Sequence, residues 1–188
     1  MNQVADYLDQ IVDDLQSVKL DNVGVMASDF IRDHIYKGKN FTPLSPATVA
    51  YRGKGRPLQD TGALRDSITH KVSGNTVKVG TNKPYARIQN NGGTITARKN
   101  WLWIPAAGTR QLQRKYGYKP ADVCSGLRSS GCSVFRIGRT ICYKKAKGSK
   151  PKIIYYLKKQ VVIPKREFFY ITDKEAGQLL EEITSDIL

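Results

Sequence analysis

The sequence predicts an α+β fold: an antiparallel, curved sheet flanked by N-terminal helices and one C-terminal helix, with an inserted basic β-hairpin arm. Three observations carry this. Apolar residues recur at helical spacing at both ends of the chain, β-branched and aromatic residues alternate through its middle, and the charge changes sign at the same boundaries. With 188 residues, 40% of them hydrophobic, the chain has room for one domain with a core, and it reads as a single domain over 1–188.

From the N-terminus, Val4, Leu8, Ile11, Val12, Leu15 and Val18 place one apolar stripe on a helix over 3–18. Asp21 or Asn22 is positioned to cap a second helix running to about Tyr36, with Val23, Met26, Phe30 and Ile31 as its apolar side and Gly38 as its stop. Ile68–Val72 and Val77–Val79 alternate about Gly74-Asn75, a hairpin whose glycine suits a type II′ turn. Trp101 to Ile104 reads as a short strand ended by Pro105. Val134–Tyr143 and Ile153–Ile163 are β-rich runs on either side of the lysine-rich stretch Lys144–Lys152. Thr172 with Glu175 forms a capping box for a last helix, along which Leu179, Leu180, Ile183 and Ile187 line one face. These stripes read as core packing, with the acids outward.

Thirty-one Lys+Arg against 16 Asp+Glu give a net charge of +15. Residues 1–36 carry seven acids and two bases, and residues 172–188 five acids and one base, which leaves 28 bases and four acids between them. Two acidic ends therefore flank a middle of +24, and opposite faces of such a chain suit different neighbours or copies of itself. The acidic, polar start does not read as a signal peptide, and no apolar run approaches the roughly 20 residues of a membrane helix. A soluble protein of the cytoplasm, with no membrane partner, is the expectation. Cys124, Cys132 and Cys142, odd in number and spaced by eight and ten, read as reduced structural thiols ahead of a zinc or redox site.

The middle offers little for catalysis. Asp60, Asp66, Asp122 and Glu167 are scattered over more than a hundred residues, whereas glycoside hydrolysis needs facing carboxylates and a metal-dependent nuclease an acidic cluster. No nucleophile elbow and no phosphate-binding glycine loop occurs. No catalytic, cofactor-binding or metal-binding residue is assigned, and no cofactor is expected. Contact with a polyanion is better supported. Between Ala106 and Lys152 lie twelve bases and one acid, with Tyr116, Tyr118, Phe135 and Tyr143 interleaved. Arg136, Arg139, Lys144, Lys145, Lys147, Lys150 and Lys152 are the candidate partner- or polyanion-contacting residues. No recognition helix or zinc-finger pattern accompanies them.

A succession of motifs adds to this reading. Phe41-Thr-Pro-Leu-Ser-Pro-Ala-Thr48 is followed by Pro57-Leu-Gln-Asp-Thr-Gly-Ala-Leu-Arg-Asp-Ser-Ile68, by Val79-Gly-Thr-Asn-Lys-Pro-Tyr-Ala-Arg-Ile88 with Gly92-Gly93, and by Ile163-Pro-Lys-Arg-Glu-Phe168 before the acidic helix. Taken in order, they resemble the phage virion morphogenesis family, the tail-completion proteins of Mu-like phages and their head–tail joining relatives. Pro43, Pro46, Asp60, Thr61, Gly62, Leu64, Pro84, Tyr85, Gly92, Gly93, Pro164 and Phe168 are its fold-motif positions here. Their physics is structural: prolines restrict entry segments, Ser45 caps a short helix, Asp60-Thr61-Gly62 makes a tight turn, and Gly92-Gly93 permit positive φ after a helical turn at 84–88.

The resemblance implies a non-enzymatic structural virion protein that completes the tail or neck and joins the DNA-filled head to the tail. It implies an oligomeric ring, commonly of six copies, assembled in the host bacterial cytoplasm. The implied partners are a portal-side connector and tail tube or terminator proteins, with DNA passing through the channel. A tail terminator or head-side connector adaptor, a sequence-nonspecific nucleic-acid-binding protein and a phage enzyme are the alternatives. Gln89-Asn90-Asn91 stands where the family has His-Gln-Phe, which removes an aromatic anchor from that turn. The chain is also longer than family members usually are between Pro105 and Pro164, so the basic, cysteine-bearing block is an insertion at about 106–160.

Overall fold

The computed structural model describes residues 3–38, 40–53 and 55–184, with side chains from residue 19 onward. The stripe of Val4, Leu8, Ile11, Val12, Leu15 and Val18 and the position of Ile187 therefore lie outside the described side chains. The fold is mixed α+β, with an N-terminal helix, a C-terminal helix and antiparallel sheets that do not close. The chain divides into two units, each assembled from segments distant in sequence.

The first unit comprises Met1–Phe41, Leu58–Asn91 and Lys165–Leu188. One helix, α1 (Gln3–Lys37), replaces the two expected at 3–18 and about 22–36. The reason is local: Gly24 is the only glycine within 3–37 and no proline interrupts it, so nothing forces a stop near Asp21. Asp21 caps no second helix; its carboxylate lies 2.9 Å from His70 Nε2. Gly24 also serves packing, since a Cβ there would come within 2.3 Å of the His70 ring. The helix ends at Gly38 (φ +40), and Gln59 donates to the carbonyls of Ile35 and Tyr36, satisfying groups that a helix terminus leaves open.

A 3₁₀ turn at Arg65–Ser67 leads into the hairpin β1 (Ile68–Ser73) and β2 (Thr76–Thr81), registered Ile68 to Thr81 and Val72 to Val77. Gly74 has φ +52 while Asn75 stays at negative φ, as the type II′ turn demands. Next comes α3 (Ala86–Asn91), and α6 (Asp173–Thr184) closes the unit. Ile31, Ile35, Leu64, Ile68, Ala86 and Phe168 form the core, with Phe41, Leu58 and Val79 packed against it. The predicted capping box is in place: Glu175 accepts from the Thr172 amide and hydroxyl, both at 2.8 Å, and the Glu175 amide donates to Thr172 Oγ1. The expected apolar face of this helix is not core, however. Leu179 is half-buried and Ile183 exposed, and Leu180 is 62% exposed.

The second unit comprises Thr42–Pro57 and Gly92–Pro164. It opens with α2 (Pro46–Arg52), capped by Ser45 and with Pro46 in the first turn. A β3–β8 pair joins Gly93–Thr96 to Gln160–Ile163. The main sheet has the order β4-β7-β6-β5, all antiparallel, from Leu102–Pro105, Lys152–Lys158, Thr140–Lys144 and Ser133–Ile137. Pro105 sits on an edge strand, where a missing amide does no harm.

The hairpin within the basic block is β5–β6, and it is an edge of this sheet. The block also contains two helices that periodicity did not indicate, α4 (Thr109–Tyr116) and α5 (Pro120–Ser129). The inward side of α4 is partly polar: Thr109 and Gln113 are buried, Thr109 donating to the Ile154 carbonyl and Gln113 accepting from the Tyr51 hydroxyl at 2.6 Å. Hydrophobic spacing cannot report a helix whose buried side is hydrogen-bonded. The core is Val123, Cys124, Leu127, Ile141, Tyr143, Ile154, Tyr155 and Leu157.

Candidate partner-contact face

The division into units sharpens the charge segregation. The second unit holds nineteen Lys+Arg and a single acid, Asp122, a balance of +18; the first holds twelve bases and fifteen acids, a balance of −3. The basic middle of the sequence is thus mainly a property of one folded body. Its field attracts anionic surfaces and raises association rates at low salt.

The seven predicted contact residues fall into two groups within this unit. The β5–β6 register pairs Ser133 with Lys144 and Ile137 with Thr140, and β7 begins with Lys152 opposite Tyr143. Lys144, Lys145, Lys147, Lys150 and Lys152 therefore share the β6–β7 turn. Ser149 shapes that turn: its hydroxyl donates to the Ala146 carbonyl at 2.8 Å and accepts from the Ala146 amide. Lys144 Nζ lies 5.8 Å from the Phe135 ring centre. Arg136 and Arg139 occupy the opposite end of the hairpin, about 14 Å away along a five-residue strand.

At that end stands a residue the sequence reading treated only as part of a strand. The Trp101 ring has Lys159 Nζ at 4.4 Å, Arg136 Cζ at 5.6 Å and Arg139 Cζ at 5.9 Å from its centre. Each contact is a cation–π interaction, and together they hold three positive charges around one indole. The backbone fixes two of them: Leu157 donates to the Arg139 carbonyl and Ala97 to the Lys159 carbonyl, both at 2.8 Å. The sequence signal is the Lys158-Lys159 pair that interrupts the β-rich run Ile153–Ile163, and its neighbours are set by strand register.

The fold-motif residues lie elsewhere. Leu64 and Phe168 are buried in the first unit's core. Asp60, Thr61 and Gly62 form the turn before Leu64, where Gly62 has φ +80 and Thr61 Oγ1 receives the Ala63 amide. Pro84 and the exposed Tyr85 precede α3, and Gly92 and Gly93, both at positive φ, follow it. Pro46 is in the first turn of α2, Pro43 precedes it, and Pro164 follows β8. At the departure from the family pattern, polar bonds take the aromatic's place. Asn90 Oδ1 accepts from the amides of Phe168 and Phe169 at 3.0 and 2.9 Å, and Gln89 accepts from the Arg166 amide and guanidinium. His34 adds a clamp on the same segment, stacking on Tyr170 at 4.0 Å and meeting Glu175 Oε1 at 2.9 Å.

Of the four mid-chain acids, Asp66 pairs with Arg65 and Glu167 with Lys165 at the surface. Among the described residues no group of three or more His, Cys, Asp or Glu converges as metal ligands do. Cys124, Cys132 and Cys142 are free thiols, and burial pushes the Cys124 thiol up, away from the reactive thiolate. Burial also raises the Tyr155 hydroxyl to about 12. No described helix is long and apolar enough to cross a membrane.

Among curated proteins and among solved structures, none matches the chain. The model of the phage virion morphogenesis family matches residues 27–188, which takes in every quoted motif, the basic block and the C-terminal helix. The chain belongs to the phage virion morphogenesis family, whose role is structural.

Proposed function

We propose that this protein completes the tail or neck of a tailed bacteriophage, joining the DNA-filled head to the tail as an oligomeric ring. Its partners on this reading are copies of itself, a portal-side connector, and tail tube or terminator proteins, and it resides in the virion after assembly in the host cytoplasm. Family membership carries the reading. The unequal charge of the two units supports it, because a balance of +18 beside one of −3 gives a subunit something to offer unlike neighbours.

Within this reading the lysine turn at Lys144–Lys152 meets an acidic protein surface. On this reading the turn contacts protein rather than lining the channel, since charge complementarity between unlike subunits sets orientation and register. The test is electron microscopy of lysates from a phage lacking the gene. Filled heads beside unattached tails are expected. Abnormally long tails would move the assignment to a terminator, and complete particles would overturn the joining role. Neutralising Lys144, Lys145, Lys147 and Lys150 together should lower the yield of joined particles while the isolated protein keeps its melting temperature.

A further inference from the structure

We propose that the arginine-lined pocket between α2 and α4 binds a phosphate group of a nucleic-acid backbone. The pocket has a volume of about 260 Å³ and belongs wholly to the second unit. Arg52, Arg110 and Arg114 line it with Tyr51 and Gln111, and no carboxylate is among its lining residues.

The site is built from both helices. Arg110 and Arg114, four residues apart, share one face of α4, while Thr109 and Gln113 anchor the buried face. Arg110 Nη1 donates to the Arg52 carbonyl at 3.2 Å, and its guanidinium lies 6.0 Å from the Tyr51 ring centre. Tyr51 is held in turn by its hydroxyl, which donates to Gln113, itself bonded to the Tyr118 carbonyl. The wall is open where a ligand must enter: at Gly53 and Gly108 a Cβ would meet nothing within 4 Å.

The forked donors of arginine match phosphate in geometry as well as in charge. Recognition of a backbone phosphate also makes use of the surrounding +18, which a free phosphate leaves idle. The pocket shares no residue with the lysine turn or with the Trp101 cluster, and the inference does not depend on the head–tail joining reading. Binding through phosphate alone is indifferent to base sequence.

Titration of the full-length protein into a fluorescently labelled 21-base-pair duplex, from 50 to 300 mM NaCl, tests this. The Arg110→Gln/Arg114→Gln variant is expected to bind about tenfold more weakly at 100 mM salt and to lose about one unit of the log–log salt slope, one phosphate's worth. Arg114→Gln alone changes an exposed side chain and shows the same direction if the pair perturbs folding. Arg114→Lys keeps the charge and loses the fork, so it retains the slope with lower affinity. Lys145→Gln/Lys147→Gln removes equal charge outside the pocket and is expected to cost clearly less.

Equal losses from the two double variants would overturn the pocket in favour of diffuse charge, and so would no loss from either. Two further arms identify other occupants. If the arginine pair abolishes thermal stabilisation by millimolar inorganic phosphate and leaves duplex binding intact, the occupant is a small phosphate compound and the proposal fails. If it abolishes binding of polyglutamate and spares the duplex, the occupant is an acidic protein segment, and the proposal fails again.

Discussion

The two units solve the same packing problem and differ in what they leave on the surface. Each seats an aromatic ring against a glycine inside a helix: Gly24 of α1 faces His70, and Gly126 of α5 faces Tyr116, a Cβ at either position coming within 2.3 Å of the ring. Each buries large aromatic residues in its core, Phe168 in the first and Tyr155 with Tyr143 in the second. Their surfaces diverge, one near neutrality with ion pairs such as Arg32–Asp29 and Lys165–Glu167, the other +18 with a single acid. Most of the quoted motif residues fall in the near-neutral unit, whereas all seven predicted contact residues fall in the basic one. Pro43, Pro46, Gly92, Gly93 and Pro164 also lie in the basic unit, which thus carries fold-motif positions and predicted contact residues together.

The largest expected effects come from the cores. Phe168→Ala and Tyr155→Ala should each cost about 3–5 kcal/mol in urea denaturation, with hydrogen exchange accelerated first in the unit that carries the substitution. Uniform acceleration across both units from either variant would erase the distinction between them. Gly24→Ala and Gly126→Ala come next. Alanine normally gains about 1 kcal/mol over glycine in a helix, but here the ring contact should reverse the sign, to a loss of about 1–3 kcal/mol by thermal melting.

Asn90→Ala should cost about 1–2 kcal/mol, because it strips one acceptor from two amides of the Phe168 segment. Burial alone would raise the Glu175 carboxyl, yet bonds from Thr172 and His34 hold it below its usual 4.5. A depressed carboxyl stabilises the fold above the unfolded value and loses that contribution as pH falls through the folded value. The difference in stability between the protein and Glu175→Gln, about 1 kcal/mol at pH 6, should therefore begin to shrink as pH falls below 4.5 and vanish only once it has passed the lower folded value. Least of all, Lys145→Gln and Lys147→Gln should change stability by under about 0.5 kcal/mol, since both side chains are exposed.

Much of this architecture was legible because local rules and tertiary packing agreed. The Ile68–Thr81 hairpin, the Thr172–Glu175 box and the Ser45 cap each depend on residues within a few positions of one another. The single α1 was misread because Asp21-Asn22 has cap chemistry, while the side chain of Asp21 is drawn to His70, 49 residues away. The helix α4 gives no periodic signal because it buries Thr109 and Gln113 rather than an apolar stripe, whereas α5 does carry Val123, Cys124 and Leu127 at helical spacing within a short, base-rich stretch. Trp101 escaped as a site residue because the cations around it come from β5, the β5–β6 turn and the end of β7. Proximity of that kind is decided by register alone.

The interleaving of segments has a consequence for how the protein is made. The second unit is complete once Pro164 has left the ribosome, but the first cannot close its core until Phe168 arrives and α6 docks against α1. The helix α1 thus waits, with Ile31 and Ile35 lacking their final cover, until the segment around Phe168 has been made. A chain broken off between Pro164 and Phe168 would keep an intact basic unit and leave the other unfinished, and proteolysis would read that difference as a mark for removal.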